Sequence, residues 1–286
     1  MGNDRLGKTV IDELRLCFTA ESEFLSTLSM LGYGERIYFD KFSLIRIAGQ
    51  HFEYYYTLLN EANHIVAYFY HGRYGDDSDY VWVKIENRVL YKHIQLQTLI
   101  NDIQTTFPLV FNNFTRIDLA KDFAKNTVYA IKRLMRTPDI KTIINGKVKK
   151  DRNEIIEGYI TTYQSTLTRV KNPSLRICQA EAVNNKTKGV TMQAYNKKAE
   201  LDNSNKEYIL EFYDNPKTLH RLEVRLNSDE IRDYYKKQRQ QQTVEDIFDD
   251  AFLTDMYYYH LGSVLRFTRG KKPIPWQEIL GTAATR

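Results

Sequence analysis

Two short stretches, Thr191 to Lys197 (TMQAYNK) and His220 to Leu226 (HRLEVRL), alternate polar and apolar residues with the period of a β-strand. Alternation puts Gln193, Tyr195 and Lys197 on one face of the first strand, and Arg221, Glu223 and Arg225 on one face of the second. The reverse face of the second strand, Leu222, Val224 and Leu226, is wholly apolar and asks to be buried. A third stretch, RIDLAKDF from Arg116 to Phe123, repeats the arrangement with Arg116, Asp118, Ala120 and Asp122 on one face. A phenol and two carboxylates, Asp118 and Glu223, carried on separate strands suit a hard divalent cation, Mg2+ or Mn2+, better than acid–base work between two acids. A free tyrosine has a pKa of about 10 and is a poor nucleophile at neutral pH unless a metal or a cation such as Lys197 stabilises the phenolate. The same cation would polarise a phosphodiester oxygen. Together these groups describe attack on a DNA phosphate, forming a phosphotyrosine and releasing a 3′ oxygen. Taken one at a time they are ordinary, because strand tyrosines mostly pack and acids flanked by arginines mostly form surface ion pairs.

Other chemistries find little support. Cys17 and Cys178 sit in no recognisable motif, no G-x-S-x-G occurs, and the six histidines form neither H-x-H nor H-E-x-x-H. Gly2 to Thr9 (GNDRLGKT) matches the phosphate-loop pattern G-x-x-x-x-G-K-[ST] letter for letter. That pattern works only where a buried strand feeds the glycine turn and a helix leaves it. Here only Met1 precedes the first glycine, and Ile11 to Phe18 alternates like a strand.

The elements that must position these residues are legible in outline. Helical spacing over Ser22 to Leu31 stops at Gly32. Five β-rich runs follow, Arg36–Tyr38, Phe42–Ile47, Phe52–Leu58, His64–Tyr70 and Tyr80–Ile85, separated by turn signals, which predicts an antiparallel meander. Leu96, Leu99, Ile100, Ile103 and Phe107 mark a covering helix ended by Pro108. The Arg116 and Arg221 strands each lead into a helix, the second with Glu230 placed for a capping box. Their 105-residue offset points to two related halves, read as residues 1–136 and 154–286 joined by a basic linker over 137–153. Phe248 to Phe267 reads as a terminal helix and Lys271 to Trp276 as a loop. The expectation is therefore an α+β fold of antiparallel sheets with covering helices.

Bulk properties agree with a folded globular protein that is mildly basic, a balance only mildly suggestive of a polyanionic partner. In 286 residues, 41 Lys and Arg face 36 Asp and Glu, a net charge of +5. Between Lys125 and Arg152 the excess is local, nine cations against two acids, which reads equally as a solvated helix face and loop or as a phosphate-facing stripe with Lys147, Lys149 and Lys150 as candidate contacts. Twenty-one tyrosines and fourteen phenylalanines supply core and sheet aromatics, with runs at Tyr54–Tyr56 and Tyr257–Tyr259, and some of these rings could stack on bases. Two cysteines, no apolar run of membrane length and no apolar leader point to the cytoplasm, with no membrane contact.

YNKKAEL at Tyr195–Leu201, KEYI at Lys206–Ile209 and RLEVRLN at Arg221–Asn227, preceded by RIDLAKDF, resemble the trans-acting replication-initiator family of rolling-circle plasmids, phages and related integrative-element relaxases. The resemblance spans about Val10 to Tyr235. It differs ahead of the tyrosine strand, where RICQAEAVNNKTKG stands in place of a G-S-R-x-S-like turn. It implies that Tyr195 is a nucleophile leaving a 5′-phosphotyrosine and a free 3′-OH, that Asp118 and Glu223 ligate the metal, and that Lys197, Arg116, Arg221 and Arg225 are phosphate or structural partners. It also implies origin DNA, as a hairpin or single-stranded nick site, and a helicase and further copies of the chain as partners. The alternatives are a non-catalytic DNA-binding replication factor, a relaxase for conjugative mobilisation, and a structural adaptor for RNA or protein.

Overall fold

The computed structural model describes residues 4–49, 52–73, 79–164, 171–179, 182–183, 186–187, 189–202, 204 and 206–281. The chain is α+β, with antiparallel sheets and helices packed on them. It forms two compact units, each gathered from separated stretches. The first comprises Met1–Val10, Asp118–Glu230 and Asp249–Arg286, and the second Ile11–Ile117 and Ile231–Phe248. These do not follow the 1–136, 137–153 and 154–286 division read from the sequence. Strand neighbours, rather than chain order, decide which residues share a core, and the strand Leu109–Phe123 passes from one unit into the other.

In the second unit the expected meander is present. Arg36–Tyr38, Phe42–Ile47, Phe52–Asn60, Ile65–Arg73 and Tyr80–Ile85 pair antiparallel in chain order, and the last pairs with Thr9–Ala20. Asn63 closes the Asn60–His64 turn in the left-handed region at φ 57, a conformation asparagine tolerates better than most residues. Helix His93–Thr106 buries Leu96, Ile100 and Ile103. Phe107 then ends it in extended backbone, as a residue before proline should. The Phe107 ring meets Phe24, Phe39, Phe42 and Phe69, a cluster that fastens the helices to one face of the sheet.

In the first unit the sheet runs Ile160–Gln164, Lys171–Cys178, Thr191–Asn196, His220–Asn227 and then the Asp118–Phe123 end of the long strand. Leu222, Val224 and Leu226 are fully buried, as their apolar face requires, each contributing about 1.5–3 kcal/mol. Helix Asp250–Val264 lies on that side, since the Tyr257 hydroxyl donates to the Leu222 carbonyl at 3.1 Å. The helix after the Glu223 strand, Ser228–Gln238, has the expected box: the Asn227 N–H donates to Glu230 Oε2 at 3.1 Å.

Three expectations are corrected here. The stretch 137–153, read as a linker, holds a hairpin of Ile140–Ile144 and Lys147–Lys149, turned by Asn145 and Gly146 at φ 50 and 77. Asn-Gly is the pair that such a tight hairpin turn favours. The hairpin pairs with Leu265–Arg269, which pairs in turn with Lys272–Ile274, so the terminal helix stops at Val264 and the supposed loop is a strand. At the other end of the unit, Thr9 opens a strand and no helix, as the rejection of a phosphate loop requires. Gly2 lies outside the described residues.

Candidate active site

Three adjacent strands of the first unit bring the candidate residues together. Thr191–Asn196 pairs antiparallel with His220–Asn227, setting Tyr195 opposite Arg221 and Gln193 opposite Glu223. The Tyr195 hydroxyl reaches diagonally across this pair and donates to Glu223 Oε2 at 3.1 Å. On the far side, Arg221 bonds Asp122 and Arg225 bonds Asp118. Four residues forward on one strand match four residues back on the other, so these two strands are antiparallel as well. The shared i, i+4 spacing of the acids and arginines turns that register into a double ion pair on one face.

The two ion pairs differ in setting. Arg221 grips Asp122 in a bidentate pair, Nε to Oδ1 at 2.9 Å and Nη2 to Oδ2 at 2.6 Å, with neither side chain exposed. Arg225 keeps 34% of its side chain exposed, donates from Nε to Asp118 Oδ2 at 3.1 Å and lies 3.8 Å from Glu223 Oε1. Asp118 and Glu223 are themselves almost buried. A continuous line of contacts therefore runs Tyr195, Glu223, Arg225, Asp118. It holds a phenol against one carboxylate and a half-exposed cation between that carboxylate and a second.

The remaining candidates are placed differently. Lys197 does not continue the tyrosine strand. Asn196 caps a short helix, Lys197–Leu201, by accepting from the Ala199 N–H at 3.1 Å, which swings Lys197 off the strand face. Its buried Nζ pairs with Glu200 at 2.7 Å and lies 5.7 Å from the centroid of the Tyr195 ring. Arg221, expected among the DNA-binding cations, is wholly buried and engaged with Asp122, an acid that sequence reasoning puts on the right face but gives no role. Arg116 belongs to the second unit, where it pairs with Glu13 at 3.3 Å. Lys147 and Lys150 are exposed and Lys149 half-buried, on and just beyond the outer strand of the small sheet. Among the described residues no group of three or more His, Cys, Asp or Glu side chains is placed to hold a metal ion.

Beneath the site, Lys121 projects to the opposite face. It donates to the Gly7 carbonyl at 2.8 Å and lies 5.7 and 5.0 Å from the Tyr257 and Tyr258 ring centroids. Burial lowers its pKa to about 8. Burial also drives the Tyr257 phenol well above its ordinary value, so this tyrosine, unlike Tyr195, is locked away as a packing residue.

No family model matches the chain, and no curated protein matches it in sequence. The structure is similar to that of a rolling circle replication initiator protein from Geobacillus stearothermophilus, covering 96% of each chain with a TM-score of 0.50 and 11% sequence identity. At that identity the likeness is one of fold. Among the described residues no helix is long and apolar enough to cross a membrane.

Proposed function

We propose that this protein is a replication initiator that binds origin DNA and cuts one strand with Tyr195 as nucleophile. The observation that carries the reading is the Tyr195–Glu223 hydrogen bond within the line that continues through Arg225 to Asp118. A fold shared with a rolling circle initiator, and the family resemblance of the YNK, RxExRL and RxDxAxD segments, support it. In the reaction the phenol proton passes to the Glu223 carboxylate it already contacts, and the tyrosine oxygen bonds to phosphorus. The P–O3′ bond breaks, and the 3′ oxygen leaves as a hydroxyl with a proton from solvent, leaving the 5′ end on the tyrosine. Retaining the phosphoryl energy in a phosphotyrosine lets a later 3′-OH reverse the step.

The donor set also fits the expected Mg2+ or Mn2+. Asp118 and Glu223 already share one cationic group, and Arg225 is exposed enough to yield that position. Magnesium is commonly held by one or two carboxylates together with water and substrate phosphate, so a third protein ligand is not required. Such an ion would neutralise phosphate charge and lower the energy of the phenolate. Lys147, Lys149 and Lys150 would add phosphate contacts without entering the chemistry. The protein would work in the cytoplasm, with a helicase to open the duplex behind the cut and further copies of itself as partners.

A second reading, a DNA-binding replication factor without cleavage, draws on the same arginine. With Arg225 between the two acids, their charge is already balanced and the face could serve only to bind. Incubating the protein and Mg2+ with supercoiled DNA carrying its origin decides between them. Nicked circles with protein covalently attached to the 5′ end establish the first, and binding without either product establishes the second. Replication and conjugative mobilisation start from the same cut, and whether the product is a replicated circle or a transferred strand separates those two.

A further inference from the structure

The tyrosine run Tyr54–Tyr56 has no part in the site above. Strand alternation divides it. Tyr54 and Tyr56 stack on His71, with ring centroids 4.6 and 5.9 Å away, and the Tyr56 hydroxyl is tied to the Leu28 carbonyl of the helix covering that side. Tyr55 points the other way and stacks on Tyr70, with centroids 5.3 Å apart and planes 5° from parallel. Tyr70 lies parallel to Trp82 at 6.3 Å, and Tyr68 and Tyr80 extend the group along the same face. The helices Ser22–Ser29, Asn87–Leu90 and His93–Thr106 meet the sheet on the opposite face, where Tyr56 reaches Leu28, Tyr91 bonds Asp12 and Phe69 meets Phe107. Tyr55, Tyr68 and Trp82 are all half-exposed.

Cations border these rings. Lys84 Nζ lies 6.0 Å from the Tyr68 ring centroid. Arg15 and Arg116 converge on Glu13, whose carboxyl is held below its ordinary value, against the effect of burial, by Arg15, Arg116 and Lys84. Three cations thus surround one carboxylate, and Glu86 stands beside Tyr68 as a further acid. An open antiparallel sheet that presents parallel rings beside surplus positive charge matches one occupant best. Unpaired bases offer a π-face to each ring, while their backbone supplies the negative charge. Bases stacked in a duplex have no such face to give.

We propose that this sheet face of the second unit is a single-stranded DNA platform, with Tyr55, Tyr68 and Trp82 stacking on bases and Lys84, Arg15 and Arg116 facing phosphates. It extends the strand-cutting reading with a strand-holding surface that does not depend on cleavage.

The chain has two tryptophans, so Trp82 can be made the sole reporter by replacing Trp276, which is buried in the first unit. The test uses the full-length Trp276→Phe, Tyr195→Phe protein and an oligo(dT) strand that lacks origin sequence and hairpin. Quenching of Trp82 by the strand, with little competition from blunt duplex, is the expected result. Tyr55→Leu and Tyr68→Leu, which keep apolar packing but lose the ring, should each weaken binding on the order of tenfold. Lys84→Gln should flatten the salt dependence. Unchanged thermal melting shows that these variants are folded. Absence of quenching, equal binding by the folded leucine variants, or tighter binding of oligo(U) than oligo(dT) would overturn the proposal. Because Tyr195 is already silent in this protein, any of those results leaves the cleavage reading standing, and loss of nicking in other variants leaves this one standing.

Discussion

Tyr195 and Glu223 lie on adjacent antiparallel strands, two positions off direct register, and the phenol closes the diagonal with a 3.1 Å hydrogen bond to the carboxylate. Diagonal neighbours in a sheet are within reach only of long side chains, which both of these are. The tyrosine oxygen is thereby aimed by a group that can accept its proton. Tyr195→Phe removes that oxygen alone. It should abolish nicking and the covalent DNA–protein adduct while lowering stability by only about 1 kcal/mol, the usual net worth of one hydrogen bond. Adduct formation on a labelled strand is the measurement, and wild-type yield from the variant would falsify the assignment.

Asp118→Asn and Glu223→Gln keep shape and remove charge. Each should cut Mg2+-dependent cleavage by orders of magnitude with origin affinity largely retained. Arg225→Gln should act in the opposite sense on the metal requirement, since it frees both carboxylates. Half-maximal cleavage should move to lower Mg2+ concentration. Cleavage that survives excess EDTA would remove the metal from the reaction altogether.

The buried pair of Arg221 and Asp122 makes a prediction about stability. Asp122→Ala leaves a guanidinium in the interior without its bidentate partner, and such truncations cost about 3–5 kcal/mol. Replacing both residues together by leucine and methionine should recover much of that loss, because neither charge is then left buried alone. Urea unfolding of the two variants beside the wild type tests this. Equal loss in the single and double variants would mean that the pair contributes through shape rather than charge.

Neutralising Lys147, Lys149 and Lys150 together should weaken binding to specific and non-specific DNA alike. The slope of log affinity against log salt should fall by up to about 0.9 for each phosphate that the lysines no longer neutralise. Cleavage of a saturating short substrate should be unaffected. An unchanged slope would assign these lysines to solvation of the hairpin.

Lys121 carries a pH signature. Its pKa is about 8 when folded against about 10.5 in a free chain, so between those values the unfolded chain holds the extra proton and stability rises with pH. Below pH 8 both states are protonated and the full penalty of the buried charge is present. Lys121→Met should therefore show its largest stability advantage over wild type near pH 7. That advantage should shrink by up to about 1.4 kcal/mol per pH unit above pH 8. A difference that stays flat from pH 7 to 10 would show that the ammonium is adequately served by the Gly7 carbonyl and the two tyrosine rings.

Local pattern alone determined a good deal of this protein. Period-two alternation specifies the meander over Arg36–Ile85 and the shared faces of Tyr195, Glu223 and Asp118. Helical spacing specifies the helix that ends at Phe107, and the capping box at Glu230 is readable letter by letter. These are features set by neighbours along the chain. The tertiary structure decided what depends on strand order. Only the register of the Asp118 strand against the Glu223 strand pairs Arg221 with Asp122 and places Arg225 between two carboxylates. Asn145-Gly146 marks a hairpin within the basic stretch, and only the partnership of Leu265–Arg269 makes that hairpin part of a sheet. Lys197 escapes the period-two pattern because the strand ends one residue before it. Asn196, a good helix cap, is the signal in the sequence that marks this end. Alternation tells which face a side chain takes, but not which distant strand will lie beside it, and the chemistry of this site is made between strands.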